Sequence, residues 1–281
     1  MKLIEQSAQL LPLGSINEQI ELAARTCYKS EDKITEDSSE KFVKRLIDNN
    51  HTAMLEHGTV HLTFPQFDDR ILKYRNNQYS SINNWCVTTN YRVIVENGWE
   101  DDLQFQCDLT EQHPERYSVK ITTSIAIARE LCRHRHFSFA QESTRYCNYS
   151  KDKFNNELTF IRPGWCVVND CSYFINKEGI TEGDGYLGLD KTSAENTFIN
   201  NLIRAESDYM WLLERGLKPQ EAREILPLSL KTELVMTGFD NDWEHFFSLR
   251  LDESTGKVHP DMKKLAQLIH IELYGDSNNI N

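Results

Sequence analysis

Three features of this sequence predict an α+β fold, with a mixed or antiparallel sheet flanked by helices. Capped amphipathic segments occur at both ends of the chain, short β-branched and aromatic runs fall between them, and no internal repeat or low-complexity tract interrupts the pattern.

Ser15 and Glu18 form a capping box ahead of a helix whose Ile16, Ile20, Ala23 and Ala24 share one side. A second helix, residues 38–48, carries Phe42, Val43, Leu46 and Ile47 and stops at the turn-prone Asn49-Asn50. The run from His57 to Phe64 is β-branched and aromatic enough to predict a strand, with His57 and His61 on one face. Residues 66–116 read as an inserted hairpin and loops, with Trp85-Cys86-Val87-Thr88-Thr89 as a strand-like run. A short strand near 117–122 leads into a helix with Ile125, Ala128, Leu131 and Cys132 as its apolar stripe, which puts Glu130, Arg133 and His134 on another face. Residues 137–146 read as a loop or short extended piece, and 160–191 as irregular and Gly-rich.

Thr192 and Glu195 cap a long helix whose Phe198, Leu202, Ala205, Tyr209 and Leu212 keep core spacing up to Gly216. Pro219 opens a short helix containing Arg223, which Leu226-Pro227 ends. A strand over 235–239, a helix over 242–251 bearing His245 and Arg250, and a final helix from Pro260 to Tyr274 complete the prediction. The whole reads as a single domain spanning 1–281, with insertions near 66–116 and 160–190.

Composition excludes several functions. A formal charge of −12 disfavours nucleic acid as a partner, because polyanions are repelled and no extended basic stripe offsets this. The N-terminal Met1-Lys2-Leu3-Ile4-Glu5-Gln6 builds no apolar run, so neither a secretory signal nor a membrane span is expected and the cytoplasm is the predicted location. Seven cysteines, with no C-x-x-C pair, predict reduced thiols rather than a disulfide framework or a zinc site.

Against that acidic background, residues 129–146 hold four arginines and two histidines but only two glutamates, and no lysine. Arginine forks match phosphate oxygens in shape and stay charged when partly desolvated, so this segment predicts a pocket for a small phosphorylated ligand. The competing reading, a solvated or ion-paired surface, gives no reason for the neighbouring Ser, Gln, Tyr and His or for the missing lysine. Gly183-Asp184-Gly185-Tyr186-Leu187-Gly188 matches a dinucleotide-binding string, but no buried strand precedes it and it reads as a surface loop. The histidines lack the acidic or cysteine partners of a metal set, so no metal is expected. Cys132 and Cys147 read as buried or incidental thiols, since no base is placed beside them.

Arg133-His134-Arg135, with Ser143 after seven intervening residues, resembles the signature of the flavin-dependent thymidylate synthases, whose longer form is R-H-R-x-x-S-x-N-E-x-S-x-R-Y. Ser138, Ser143, Arg145 and Tyr146 match it, while Ala140-Gln141 replace the Asn-Glu pair. Other blocks follow in the family's order. Residues 25–30 are similar to its N-terminal turn, 50–57 to its G-H-x-x-x-x-E-H block, 222–228 to A-R-x-x-L-P-L, and 245–250 to N/H-F-L-x-L-R.

The resemblance implies the thymidylate synthase-complementing protein fold and a homotetramer with shared active sites. It implies FAD as cofactor, deoxyuridine monophosphate (dUMP) as substrate, and NADPH and 5,10-methylenetetrahydrofolate as co-substrates. By the same resemblance, Glu130, Arg133, Gln141, Glu142, Ser143, Thr144, Arg145, Arg223 and Arg250 would hold the nucleotide. His51, Ala53, Glu56, Arg133, His134, Arg135, Gln141, Asn241 and His245 would contact FAD. Arg250 is the expected catalytic side chain, a fixed cation facing the uracil ring. Where the family often has Asn-x-Arg for the flavin, this chain has Phe239-Asp240-Asn241. Two alternatives remain: a variant delivering a hydroxymethyl group, and a nucleotide-binding homologue without catalysis.

Overall fold

Two nine-residue strands run side by side at the centre of the main sheet, and the one covered on both faces sets the position of the site. The computed structural model describes residues 1–169, 172–176, 179–182, 185, 186 and 193–275. The elements run β1 (Lys2–Ile4), β2 (Ser7–Leu10), α1 (Ile16–Tyr28), α2 (Ser38–Asp48), β3 (Thr59–Thr63), β4 (Ser81–Asn83), β5 (Cys86–Asn90), α3 (Tyr91–Asn97), β6 (Arg116–Ser124), α4 (Ile125–Leu131), β7 (Ser138–Gln141), β8 (Thr159–Ile161), β9 (Tyr173–Asn176), β10 (Gly179–Glu182), β11 (Gly185–Tyr186), α5 (Ala194–Glu214), α6 (Pro219–Ala222), β12 (Lys231–Phe239), α7 (Asp240–Arg250) and α8 (Pro260–Tyr274).

The main sheet is antiparallel, in the order β2-β6-β12-β7. β12 pairs with β6 along its whole length, from Lys231 opposite Ser124 to Phe239 opposite Arg116. Leu234 through Gly238 are all buried, because both faces are covered and alternation is lost. On one face Leu234 and Met236 pack with α4, α7 and α8 through Ile127, Leu131, Trp243, Phe246 and Leu265. On the other, Val235 and Ala140 meet Ala23 of α1. Gly238 is required by a close approach, since a Cβ there would run into the Phe137 ring.

A second sheet, β3-β5-β4, has its own core of Val60, Leu62, Phe64, Ile71, Tyr74, Val87 and Ile94. The third core lies where α5 covers Leu3, Phe160 and Leu230 with Ile199, Leu202 and Tyr209.

The α+β class and the helices at 16–28, 38–48, 194–214 and 260–274 agree with the sequence reading. The Ser15–Glu18 capping box forms as expected, with Glu18 N 3.3 Å from Ser15 Oγ and Ser15 N 2.7 Å from Glu18 Oε2.

Several expectations need correction. The strand predicted from His57 starts at Thr59; His57 ends a 3₁₀ turn, so it does not share a strand face with His61. The region 66–116 contains a helix, α3, capped by Asn90 accepting from Val93 N at 3.0 Å, besides the predicted hairpin. α4 stops at Leu131, and Cys132 is exposed rather than part of the stripe. Residues 160–191 are less irregular than expected, since they hold β8's end and the small sheet β11-β10-β9. Thr192 and the glycine-string residues Gly183, Asp184, Leu187 and Gly188 lie outside the described residues, and the cap of α5 is Ser193, which accepts from Asn196 N at 3.1 Å. Among the described residues no helix is long and apolar enough to cross a membrane.

Candidate active site

Aromatic packing holds the arginine-rich turn, whose Arg133 and Arg135 pair with no carboxylate among the described residues. α4 buries Ile127, Ala128 and Leu131 against the sheet, and the chain then folds through two tight turns in which His134 N reaches Leu131 O at 3.0 Å and Phe137 N reaches His134 O at 3.2 Å. Phe137 lies edge-on to Trp243 of α7 with 4.6 Å between ring centroids, and His134 lies edge-on to Phe246 at 5.0 Å. These contacts fix the turn against α7, and an open cleft of about 690 Å³ forms between them. Arg133, His134, Arg135, His245 and Arg250 line it, together with His136, Phe137, Asp242 and Leu249.

Arg250, on the last turn of α7, is partly buried. Its Nε donates to His134 Nε2 at 3.0 Å and its Nη1 faces the Glu130 carboxylate at 3.5 Å. Burial, together with the nearby Arg250, His245 and Arg133, pushes the His134 imidazole down to about 4, so the ring is neutral near pH 7. Arg133 and Arg135 are exposed, and among the described residues neither has a carboxylate within ion-pair distance.

Thr144 and Arg223 lie elsewhere in the same chain. Arg223 Nη1 donates to Thr144 Oγ1 at 3.0 Å, and the two line a cleft of about 330 Å³ with Arg129 and Leu226 to Leu228. The two clefts share no lining residue. In sequence β7 lies between Phe137 of the first cleft and Thr144 of the second. Gln141 donates from Nε2 to Thr232 Oγ1 at 3.1 Å. Glu142 is fully buried, accepting from Tyr149 Oη at 2.9 Å and pairing with Lys231 at 2.9 Å, so its carboxylate is committed inside the protein. Ser143 N donates to Cys27 O at 2.9 Å, tying the motif to the end of α1. Arg145 is exposed, with its guanidinium 5.4 Å from the Tyr146 ring centroid.

His51, Ala53 and Glu56 belong to the 3₁₀ block before β3 and line neither cleft. Glu56 forms an ion pair with Arg92 of α3, and its carbonyl accepts from Arg116 Nη2 at 2.7 Å. Arg116 is buried, and desolvation pulls its guanidinium down to about 10. It also donates to Thr59 Oγ1 at 3.0 Å, so β6 braces this block from behind. Asn241 is exposed on the first turn of α7.

Cys147 is buried, and burial raises its thiol to about 12, which fits an inert thiol. Sequence reasoning missed Asp242, which lines the main cleft. Its Oδ1 lies 3.4 Å from His136 Nδ1, and burial raises its carboxyl above the ordinary range. The sequence reading already put Asp242 at the head of the helix, where its Oδ2 accepts from Phe239 N at 3.3 Å, but not in the cleft.

Sequence comparison with known proteins agrees with the family resemblance. A flavin-dependent thymidylate synthase of Synechocystis sp. is 28% identical over 201 residues, covering 70% of this chain and 77% of its own length. A probable flavin-dependent thymidylate synthase of Paramecium bursaria Chlorella virus 1 is 28% identical over 156 residues, covering 55% of this chain and 66% of its own. Among solved structures, the UMP/dUMP methylase PolB from Streptomyces cacaoi, bound with 5-Br dUMP, aligns over 96% of this chain and 90% of its own, with 18% identity and a TM-score of 0.45. The model of the family described as thymidylate synthase complementing protein matches residues 112–274, more than half the chain and the span that carries α4, the arginine-rich turn, β12 and α7. The chain belongs to that family.

Proposed function

We propose that this chain is a flavin-dependent thymidylate synthase that converts dUMP to thymidylate, as a single 281-residue domain with two insertions. The observation that carries the reading is the Arg250 guanidinium, partly buried and held at one wall of a cleft whose other cations, Arg133 and Arg135, have no carboxylate partner among the described residues.

The donor set of the cleft fits FAD. Arg133 and Arg135 present guanidinium forks suited to a diphosphate, and the neutral, half-buried His134 ring lies beside them. Arg133, His134, Arg135 and His245 would hold the cofactor, with His51, Ala53, Glu56, Gln141 and Asn241 as the remaining expected contacts. Bound FAD, reduced by NADPH, would supply hydride, and 5,10-methylenetetrahydrofolate the one-carbon unit.

The protein's own part is placement and charge. Arg145, Arg223, Arg133 and the hydroxyls of Ser143 and Thr144 would bind the nucleotide, with Gln141 and Glu130 beside them. Glu142 would act on the nucleotide through its backbone and by fixing the turn, since its carboxylate is engaged by Lys231. Arg250 would face the uracil ring and stabilise the negative charge that grows on its oxygen and nitrogen as hydride reaches carbon 6. A homotetramer is part of this reading. The Thr144–Arg223 pair and Arg250 line separate clefts in one chain, so a partner copy is needed to bring the two sets to one nucleotide.

The test is anaerobic. Purified protein loaded with FAD is mixed with NADPH, 5,10-methylenetetrahydrofolate and dUMP, and the nucleotide product is identified by mass. Thymidylate is the expected product. A hydroxymethyl product would replace the reading with the variant chemistry. No product from protein that stays colourless after FAD incubation would leave a binding protein only.

A further inference from the structure

We propose that His134 is a positioning residue for Arg250: its imidazole, as a neutral acceptor, aims the guanidinium into the cleft without cancelling the charge. The proposal rests on the role given to Arg250 above.

The geometry is asymmetric in a useful way. Arginine nitrogens only donate, so the 3.0 Å contact from Arg250 Nε requires a lone pair on His134 Nε2, which puts the ring proton on Nδ1. On the other side Nη1 faces Glu130 at 3.5 Å without a hydrogen bond, and Nη2 has no partner among the described residues. The two anchored nitrogens fix the plane of the guanidinium, and the third is left for the cleft. Burial and the adjoining cations keep the ring unprotonated, which preserves its acceptor.

His134 can do this because its own ring is packed between two aromatic neighbours. It sits 5.0 Å from Phe246 and 6.4 Å from Phe137, edge-on to both, within the aromatic core built around Trp243. An arginine side chain is otherwise free to sample many rotamers. Without the histidine acceptor the nearest competitor is Glu130. Glu130 already lies 3.5 Å from Nη1, within ion-pair range, and without the histidine a closer, hydrogen-bonded pair would turn the fork away from the cleft and screen more of the charge meant for the substrate. A carboxylate in place of His134 would keep a hydrogen bond but lose the field. The neutral acceptor therefore separates aim from charge, a distinction that variants can test.

The variants are His134→Gln, whose side-chain oxygen reaches the same place as Nε2, His134→Leu, which removes the acceptor, and His134→Asp, which supplies an acceptor with charge. With turnover expressed per bound flavin, read from the absorbance of each variant, His134→Gln should turn over faster than His134→Leu. His134→Leu should lower kcat by about 10- to 100-fold, with the calorimetric dUMP Kd and the melting temperature nearly unchanged. His134→Asp should be no better than His134→Leu. In ¹⁵N-arginine spectra, the Arg250 Nε–H, assigned by its loss in Arg250→Lys, should be protected from exchange in wild type and His134→Gln and unprotected in His134→Leu.

Full turnover in His134→Leu, or His134→Gln as impaired as His134→Leu, overturns the proposal, as does an unprotected Nε–H in wild type. A wild-type protein that shows the protected Nε–H yet makes no thymidylate overturns the reaction reading and leaves the brace standing.

Discussion

Two clusters of positive charge in this acidic chain are handled in opposite ways. The lysines beside β12 are saturated. Lys29 pairs with Glu31 at 3.1 Å and Glu233 at 2.8 Å, Lys120 with the same two at 3.3 and 2.9 Å, and Lys231 with Glu142 and Glu233, both at 2.9 Å. Burial works against the charge on Glu233, yet Lys231 and Lys29 hold its carboxyl far below the usual range. The arginines of residues 129–145 are mostly left open: Arg129, Arg133, Arg135 and Arg145 have no carboxylate partner among the described residues. A buried charge without a partner is costly, so a fold spends its acids where desolvation is greatest. Cations left unmatched in a chain of charge −12 mark where a ligand's phosphates can supply the missing charge.

If the lysine cluster is structural and the arginine cluster functional, mutations in the two must fail differently. The largest effect is expected from Lys231→Met. It strands the fully buried Glu142 carboxylate, and denaturant unfolding should show a loss of about 3–5 kcal/mol. A change below 1 kcal/mol would mean that Tyr149 and the Glu233 N–H satisfy Glu142 alone. Arg250→Ala comes next, and its loss should be in rate. Turnover should fall by about 10²- to 10³-fold, the usual effect of removing one preorganised stabiliser of developing charge, while the protein stays yellow and folded. Full activity would remove Arg250 from the chemistry.

How much of this could be read in the sequence follows the same division. The helices whose apolar stripes face one core, such as 38–48 and 260–274, were legible to the residue, because burial alone shapes their pattern. β12 was legible only over its second half. Its first residues, Lys231-Thr232-Glu233, look like a polar loop, and only the facing Lys29, Lys120 and Glu142 make them a strand. α3 was hidden because its seven residues are too few to show a period, and Asn90, which caps it, ends a strand. At the site, Arg133, His134, Arg135, His245 and Arg250 were legible as motif residues, and the structure gathers them in one cleft. Asp242 was missed because a lone acid at a helix start ordinarily serves the backbone. The orientation of Arg250 by His134 was beyond sequence reach, since it depends on the aromatic packing of residues 109 positions apart in Phe137 and Phe246.

The smallest of the three effects is the sharpest test of the contrast. Arg145 is exposed, touches only the Tyr146 ring, and gives the fold no ion pair among the described residues. Arg145→Ala should therefore leave unfolding free energy within about 0.5 kcal/mol of wild type, the ordinary range for a surface change. The same substitution should weaken dUMP binding by about 1.5–3 kcal/mol through the loss of charge-assisted hydrogen bonds, measured calorimetrically and repeated with deoxyuridine. The loss should shrink toward zero for the nucleoside, because the phosphate is the group that Arg145 is assigned to hold. An equal loss for both ligands would move Arg145 from the phosphate to the base or sugar. An unchanged nucleotide Kd would place it with the solvated surface charges, and the open arginines would then be too few to define a phosphate site.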